Sequence, residues 1–292
     1  MTKAARIAIL TPDPADEAFQ SRWRDPFADK SSRLAAAGLE VEGRSWVADE
    51  DLDSFDLVLP LLAWGYHRDV PGWRAATAGW EARGLPVRNP PSVLRWNSDK
   101  AYLGHLAGGG APVVPTRFVH RVTEEALAEA AAAFGTERLI AKPTISASAW
   151  RTIVWTPGTP LDEGPDGAAI LQPFLPTIFE EGELSLIYIG GRFTHAIRKR
   201  PRPGDFRVQP EWGGLITAHQ PVPEEFAAAE KILAAIEEPL LYARIDLARG
   251  LDGAPALMEL ELVEPDLYFQ HDPGGGQAFV AAVTAAATGR SA

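Results

Sequence analysis

The stretch ALMELELVEPDLYF (256–269) sets two carboxylates inside a run of apolar residues. Side chains of an extended chain alternate between its two faces. By that rule Leu257, Glu259, Glu261 and Val263 share one face, and Met258, Leu260 and Leu262 take the other. Two like charges roughly 6.5–7 Å apart along a strand repel each other. Either they lie on the solvated side of an edge strand, or a cation sits between them. LYARIDLA (241–248) and APALMELEL (254–262) read as an antiparallel hairpin across the turn signal Asp252-Gly253. That pairing brings Asp246 opposite Met258 or Glu259, so Asp246, Glu259 and Glu261 can share one face. Unpaired, the three would raise one another's pKa values. A hard cation relieves the repulsion, and Mg²⁺ is commonly held by one or two carboxylates together with substrate phosphates.

Phosphate calls for cations nearby. Lys142 in RLIAKPT (138–144) and Lys199 in THAIRKRP (194–201) stand in largely apolar strands. A lysine so placed either snorkels to solvent or faces a buried anion. Lys100 is expected to open the helix DKAYLGHLAGG (99–109), with Asn97 or Ser98 as its N-cap, where a helix N-terminus favours anions.

The bulk numbers narrow the classes. A chain of 292 residues, 46% hydrophobic and 23% charged, is an ordinary globular composition with length for two domains or one large α/β unit. A net charge of −11 speaks against sequence-independent nucleic-acid binding, which depends on Lys and Arg neutralising phosphates. The absence of cysteine excludes disulfides, thiolate nucleophiles and cysteine metal sites. MTKAARIAILTPDP (1–14) has too short an apolar run for a signal peptide, and no stretch approaches a membrane span, so a soluble cytoplasmic protein is expected.

ARIAIL (5–10), LEVEGRSW (39–46) and FDLVLPLLA (55–63) read as strands, with helices ending at SSRLAAAG (31–38) and spanning WRAATAGWEARG (73–84). This order predicts a Rossmann-like unit over residues 1–96. The prolines of NPPSVLRWNSDK (89–100) mark a junction. TEEALAEAAAAFG (123–135), PEEFAAAEKILAAI (223–236) and QAFVAAVTAAA (277–287) read as helices. RLIAKP, WRTIVW, AAILQPF, LSLIYIGG and RFTHAIRK read as strands between them.

In this order the motifs resemble those of the ATP-grasp ligases, in the branch with bacterial glutathione synthetase and the ribosomal-protein glutamate ligases. The resemblance runs from FDLVLP (55) to VEP (265). It implies an α/β (α+β) fold: a Rossmann-like N-terminal domain (1–96), an ATP-grasp small subdomain (97–170) and a C-terminal subdomain (171–292). It implies ATP and Mg²⁺ as cofactors. Lys100 and Lys142 take the places of the two nucleotide lysines. QPFLPTIFEEGELS (172–185) resembles the adenine hinge, with Pro173, Phe174 and Leu175 at the base and Glu183 at the ribose. RKRPRPGDFRVQPEWGG (198–214) resembles the segment that carries basic residues to the phosphates, here Lys199 and Arg207 in catalytic roles. RID and MELELVEP match the metal end, Asp246, Glu259 and Glu261. The loop after the second lysine is usually glycine-rich but here is PTISASAWRT (143–152), and Glu261 stands where the family often has Asn.

The implied chemistry is ATP-dependent ligation through an acyl phosphate, with no side-chain nucleophile. AWGYHRDVPGW (63–73) follows a first-domain strand, where α/β proteins place ligands, so Trp64, Tyr66 and His67 are candidates for substrate binding. The six histidines otherwise show no metal-ligand spacing and are read as structural or surface residues. The chain as a whole looks most like the cycloserine-pathway ligases, which close O-ureidoserine into a ring, and so a small amino-acid-like substrate is implied. An amino-acid or peptide ligase of glutathione-synthetase type, a phosphotransferase and a non-catalytic nucleotide-binding regulator are the alternatives. No nucleic-acid or membrane partner is expected, and self-association is left open.

Overall fold

The computed structural model describes residues 3–48, 51–202 and 213–289. Ile7 and Ile9 of β1 (Arg6–Thr11) face one way, Ala8 and Leu10 the other, and all four are buried. A strand apolar on both faces needs cover on both. β2 (Glu40–Ser45) and β3 (Leu57–Leu59) flank β1 in parallel, in the order β2-β1-β3. Leu34 of α1 (Arg24–Ala36) packs on the Ile7 and Ile9 face, and Trp73 and Trp80 of α2 (Val70–Ala82) pack on the other. The apolar run 55–63 yields only a three-residue strand, because Pro60 has no N–H and its carbonyl turns back to Ala63 N (3.0 Å).

The junction differs from expectation. Residues 91–97 are themselves helical, α3 (Pro91–Asn97), and α4 (Tyr102–Gly108) follows. Neither Asn97 nor Ser98 caps a helix that begins at Lys100. Lys100 instead lies in the turn between α3 and α4, where its N–H donates to Thr144 O (2.7 Å). The Asn97 side chain has other work: Nδ2 donates to Leu260 O (2.8 Å) and Oδ1 accepts from Leu262 N (2.9 Å).

A second, antiparallel sheet is built from β4 (Arg117–Val119), β5 (Leu139–Pro143), β6 (Ile153–Trp155) and β7 (Ala169–Pro173) in the order β4-β7-β5-β6. α5 (Glu124–Phe134) packs against it through Leu127 and Ala130. The Thr123 hydroxyl accepts from Ala126 N (3.1 Å) at the start of α5, and Gly135 ends it at φ 66°. After the short α6 (Thr177–Glu180) come β8 (Glu183–Ile189), β9 (Arg192–Arg200), β10 (Leu215–His219), α7 (Pro223–Ala234), β11 (Tyr242–Arg249) and β12 (Pro255–Glu261). These five strands form an antiparallel sheet ordered β10-β9-β8-β11-β12. The three-residue β4 and the largely exposed β10 carry too weak an alternation to be read from sequence.

Leu184, Leu186, Ile245, Leu247 and Leu260 make the back of this sheet, covered by α4 and α7. The front carries the charges. α8 (Gln277–Thr288) returns the chain to the first sheet, placing Phe279 and Val283 beside Ile7, Leu57 and Ile187. β12 is an edge strand, and unpaired edges invite wrong partners. Here Asn97, the Tyr102 hydroxyl accepting from Leu260 N (2.8 Å), and residues 112–114 cover it. Asn97→Ala would leave two buried backbone groups without partners and should lower unfolding stability by about 2–3 kcal/mol in urea melts. An unchanged midpoint and slope would mean that the edge is held without it.

Candidate active site

The hairpin register puts Asp246 opposite Glu259 and Arg244 opposite Glu261. On the other side of β11, Asp246 is paired with Ser185, and β8 then pairs Glu183 with Lys199 of β9. Because alternate residues share a face, these side chains form a charged lattice across four strands. Asp246 is its centre, with a side chain only 3% exposed. Its Oδ1 accepts from Ser185 Oγ (2.5 Å) and Arg244 Nε (3.0 Å), and its Oδ2 from Arg244 Nη2 (2.9 Å) and Lys199 Nζ (3.2 Å). Arg244 Nη2 also reaches Glu261, and Lys199 Nζ reaches Glu183.

The titration behaviour follows this wiring. Burial alone would raise the Asp246 carboxyl, but Arg244 and Lys199 outweigh it and hold the group well below the usual carboxylate range. Burial would likewise lower Lys199, and Asp246 and Glu183 hold it above its ordinary value instead. Glu261 is pushed well up by burial, against Arg244 and with Asp246 and Glu259 adding to the push. Arg244, central to the site, was missed in the sequence reading. Its position two residues before Asp246 in RID, on the same face of the strand, was the available signal.

Lys100 and Lys142 face Glu259. Lys100 Nζ lies 3.2 Å from Glu259 Oε1 and donates to Ser146 O (2.9 Å). Burial would raise Glu259, but Lys100 and Lys142 bring it below its ordinary value. Burial lowers Lys142, with Glu259 opposing that and Lys100 adding to it. The Lys142 ammonium has neither a hydrogen bond nor an ion pair among the described residues. The loop after it bends through left-handed Ser148 (φ 51°), Ala149 (φ 56°) and Arg151 (φ 50°), a conformation unfavourable for residues with a Cβ.

Lys100, Lys142, Lys199, Arg244, Asp246, Glu259 and Glu261 line one cavity of about 690 Å³ between the two antiparallel sheets and the first domain. Its apolar end is formed by Pro173, Phe174, Leu175 and Ile178, with Val114 and Met258 opposite. The Arg138 guanidinium lies 3.7 Å over the Phe174 ring. Met258 corrects the strict alternation expected of β12. The register passes from Asp246–Glu259 directly to Leu247–Leu257, so Met258 is a bulge residue without a partner. The bulge sends Leu257 to the back of the sheet with Leu260, and puts Met258 in the cavity wall beside Glu259. Glu183 also lines the cavity, tied to Lys199.

Trp64, Tyr66 and His67 line the first-domain side of the same cavity. Tyr66 is also a packing residue, its ring 5.1 Å from that of Trp73. His67 is lowered to about 4 by burial, with Lys100 and Arg68 adding to the shift, so it is neutral near pH 7. Its ring lies 6.2 Å from that of Trp150 on the 144–152 loop. Arg207 lies outside the described residues.

With this geometry in place, the comparisons with known proteins are specific. A family model for the N-terminal domain of the D-cycloserine synthetase DcsG matches residues 7–89. The cycloserine biosynthesis protein DcsG of Streptomyces lavendulae is 30% identical over 215 residues, 66% of this chain and 71% of that protein. The chain belongs to the DcsG family of ATP-grasp ligases. The glutathione synthetase of Prochlorococcus marinus (strain MIT 9313) is 27% identical over 268 residues, covering 83% of this chain and 80% of that one. The crystal structure of D-cycloserine synthetase DcsG superposes with a TM-score of 0.81 at 24% identity, over 97% of this chain and 100% of the other. The chain is thus an ATP-dependent ligase that forms C–N bonds. The ATP-grasp ligase PsnB, solved with Mg and ADP, shares the fold with a TM-score of 0.63 at 16% identity, over 96% of this chain and 98% of that one. No helix among the described residues is long and apolar enough to cross a membrane.

The donor set fits Mg²⁺ at one place. Glu259 and Glu261, with side chains 36% and 24% exposed, present hard oxygen ligands to the cavity beside their partners Lys100 and Arg244, while the more deeply buried Asp246 is taken up by Arg244 and Lys199. The three carboxylates share a face but do not stand as a ready cluster of three among the described residues. Glu264 joins the same wall, and burial, opposed by Arg244 and aided by Glu259, raises it to about 7. A carboxyl raised in the folded state favours folding while protonated. Its contribution is lost as pH rises from its unfolded value of 4.5 through about 7. Glu264→Gln should therefore melt higher than wild type at pH 8, with the gap closing towards pH 4.5. A gap independent of pH would remove this assignment.

Proposed function

We propose that the enzyme activates the carboxylate of a small amino-acid-like substrate and closes it onto a nitrogen of the same molecule, a cyclisation of the O-ureidoserine type. The supporting observation is a cavity in which two cations, Lys100 and Lys142, stand by Glu259, with Glu261 in the same wall. The DcsG relative, named for cycloserine biosynthesis, supports the substrate class. In this reading Pro173, Phe174, Leu175 and Met258 surround the adenine and Glu183 meets the ribose. Glu259 and Glu261, with Asp246 behind them, would hold Mg²⁺, which offsets phosphate charge when bound.

The chemistry balances without a protein nucleophile. A substrate carboxylate oxygen attacks the γ-phosphorus, the bond to the β–γ bridging oxygen breaks, and ADP leaves. Lys142 offsets the charge that spreads over the transferring oxygens. The substrate nitrogen then attacks the acyl carbon, losing its proton as inorganic phosphate departs. Lys199 and Arg244 position the carboxylate wall against these phosphates. Three regions, residues 1–96, 97–170 and 171–292, divide the labour between acid substrate, phosphates, and base and metal. A cytoplasmic enzyme working on small metabolites fits this chemistry.

The test is ADP release with O-ureidoserine alone. The proposal expects turnover without any added amine, hydroxamate formation when hydroxylamine is present, and loss of both in Glu259→Gln. Strict dependence on a second amine would exclude cyclisation and favour the glutathione-synthetase type of ligation. ADP release with no trappable acyl group would instead leave a phosphotransferase.

A further inference from the structure

Lys30 stands on the inward face of α1, one turn before Leu34, and is only 4% exposed. A buried ammonium is costly unless it is paired, and removing charge from water without a partner usually drives the proton off. Yet Lys30 has no hydrogen bond or ion pair among the described residues. It lines the cavity of the active site. Burial lowers its pKa, Asp266 and Asp29 act against that, and Arg33 adds to it. Asp29 is already engaged with Arg33 (2.8 Å). Asp266 offers its main-chain carbonyl to Arg244 Nη1 (3.4 Å), the guanidinium that also holds Asp246 and Glu261. Lys30 therefore enters the cavity wall from the first domain, on the side of Asp266 and Arg244.

The second observation is the surrounding wall. Leu61, Leu62 and Trp64 offer apolar surface, and neutral His67 offers no charge at pH 7. Of the two first-domain cations that line this wall, Arg22 is exposed and Lys30 is the buried one, facing the space between that domain and the γ-phosphate. We infer that Lys30 is a specificity-determining residue whose ammonium donates to an acceptor oxygen at the end of the substrate remote from the carboxylate being phosphorylated. This rests on the functional reading above and adds to it a required substrate feature: a carbonyl or carboxylate oxygen at that remote end. A charge-assisted hydrogen bond in a water-poor cavity is strong enough to select substrates by this group. The bond changes no covalent connection, so Lys30 positions the substrate and takes no part in phosphoryl transfer.

The test compares wild type, Lys30→Met and Lys30→Arg. Methionine keeps the stem's volume while removing the charge, so thermal stability should hold or rise. KM is measured for ATP, for O-ureidoserine with its neutral remote carbonyl, and for glutamate with a remote carboxylate. Lys30→Met should raise KM for the preferred acid by about tenfold or more, equivalent to one decade of affinity, with KM for ATP within about twofold. Lys30→Arg should recover part of the loss. The acid that wild type prefers identifies the acceptor as carbonyl or carboxylate. An acid KM unchanged in Lys30→Met, or one that moves in parallel with that of ATP, would overturn the inference. If wild type turns over neither acid, the cyclisation reading fails separately. Acetic anhydride labelling of Lys30, read by peptide mass spectrometry with ADP present, then decides. Protection by either acid supports the role of Lys30, and labelling unaffected by both overturns it.

Discussion

Asp246 lies buried in the floor of the cavity with its charge divided between Arg244 and Lys199, and the site is organised around that arrangement. A carboxylate so deeply buried is tolerable only with close cationic partners and its oxygens saturated. Ser185 fills the remaining acceptor position on Oδ1. The same two cations then hold Glu261 and Glu183, so three carboxyl groups lie on one sheet face without mutual repulsion dominating. Such a lattice contributes little to net stability compared with a hydrophobic replacement. What it does is fix where the charges stand, which is what a phosphate site requires.

Two devices place that lattice next to the cavity. The edge of β12 is sealed by Asn97, Tyr102 and residues 112–114, so the strand cannot slip its register. A slip of one residue would send Glu259 and Glu261 to the back of the sheet among Leu257 and Leu260. The bulge at Met258 then lets a thioether and a carboxylate, adjacent in sequence, both face the cavity. Neighbouring residues of one strand can in this way line both the apolar and the charged part of the cavity. Lys100 and Lys142 close the other side from different elements, and their separation in sequence shows why the site exists only in the folded chain.

Much of this was legible beforehand, for definite reasons. The parallel first sheet follows from apolar runs buried on both faces, and α5 from its Thr123 cap and Gly135 stop. The hairpin that brings Asp246 opposite Met258 or Glu259 follows from one turn signal, and the register then selects Glu259. The failures are equally physical. Alternation broke at Met258 because a bulge leaves no mark in residue type. Asn97 looked like a cap because its side chain suits capping, but a bare edge strand 163 residues away took its hydrogen bonds. β4 and β10 are short or exposed and owe their existence to neighbouring strands. Arg244 was overlooked because an arginine in a strand usually reads as a solvated residue, whereas its value here lies in three carboxylate oxygens supplied by the fold.

The central claim is that Asp246 and Arg244 are energetically one unit. A double-mutant cycle in urea, with Asp246→Asn, Arg244→Met and the two combined, measures this directly. Each single change leaves a buried charge uncompensated and should cost about 3–5 kcal/mol. The combined variant should cost less than the sum by about 2 kcal/mol or more. Additive losses, within about 0.5 kcal/mol, would mean that the two side chains act independently and would contradict the account.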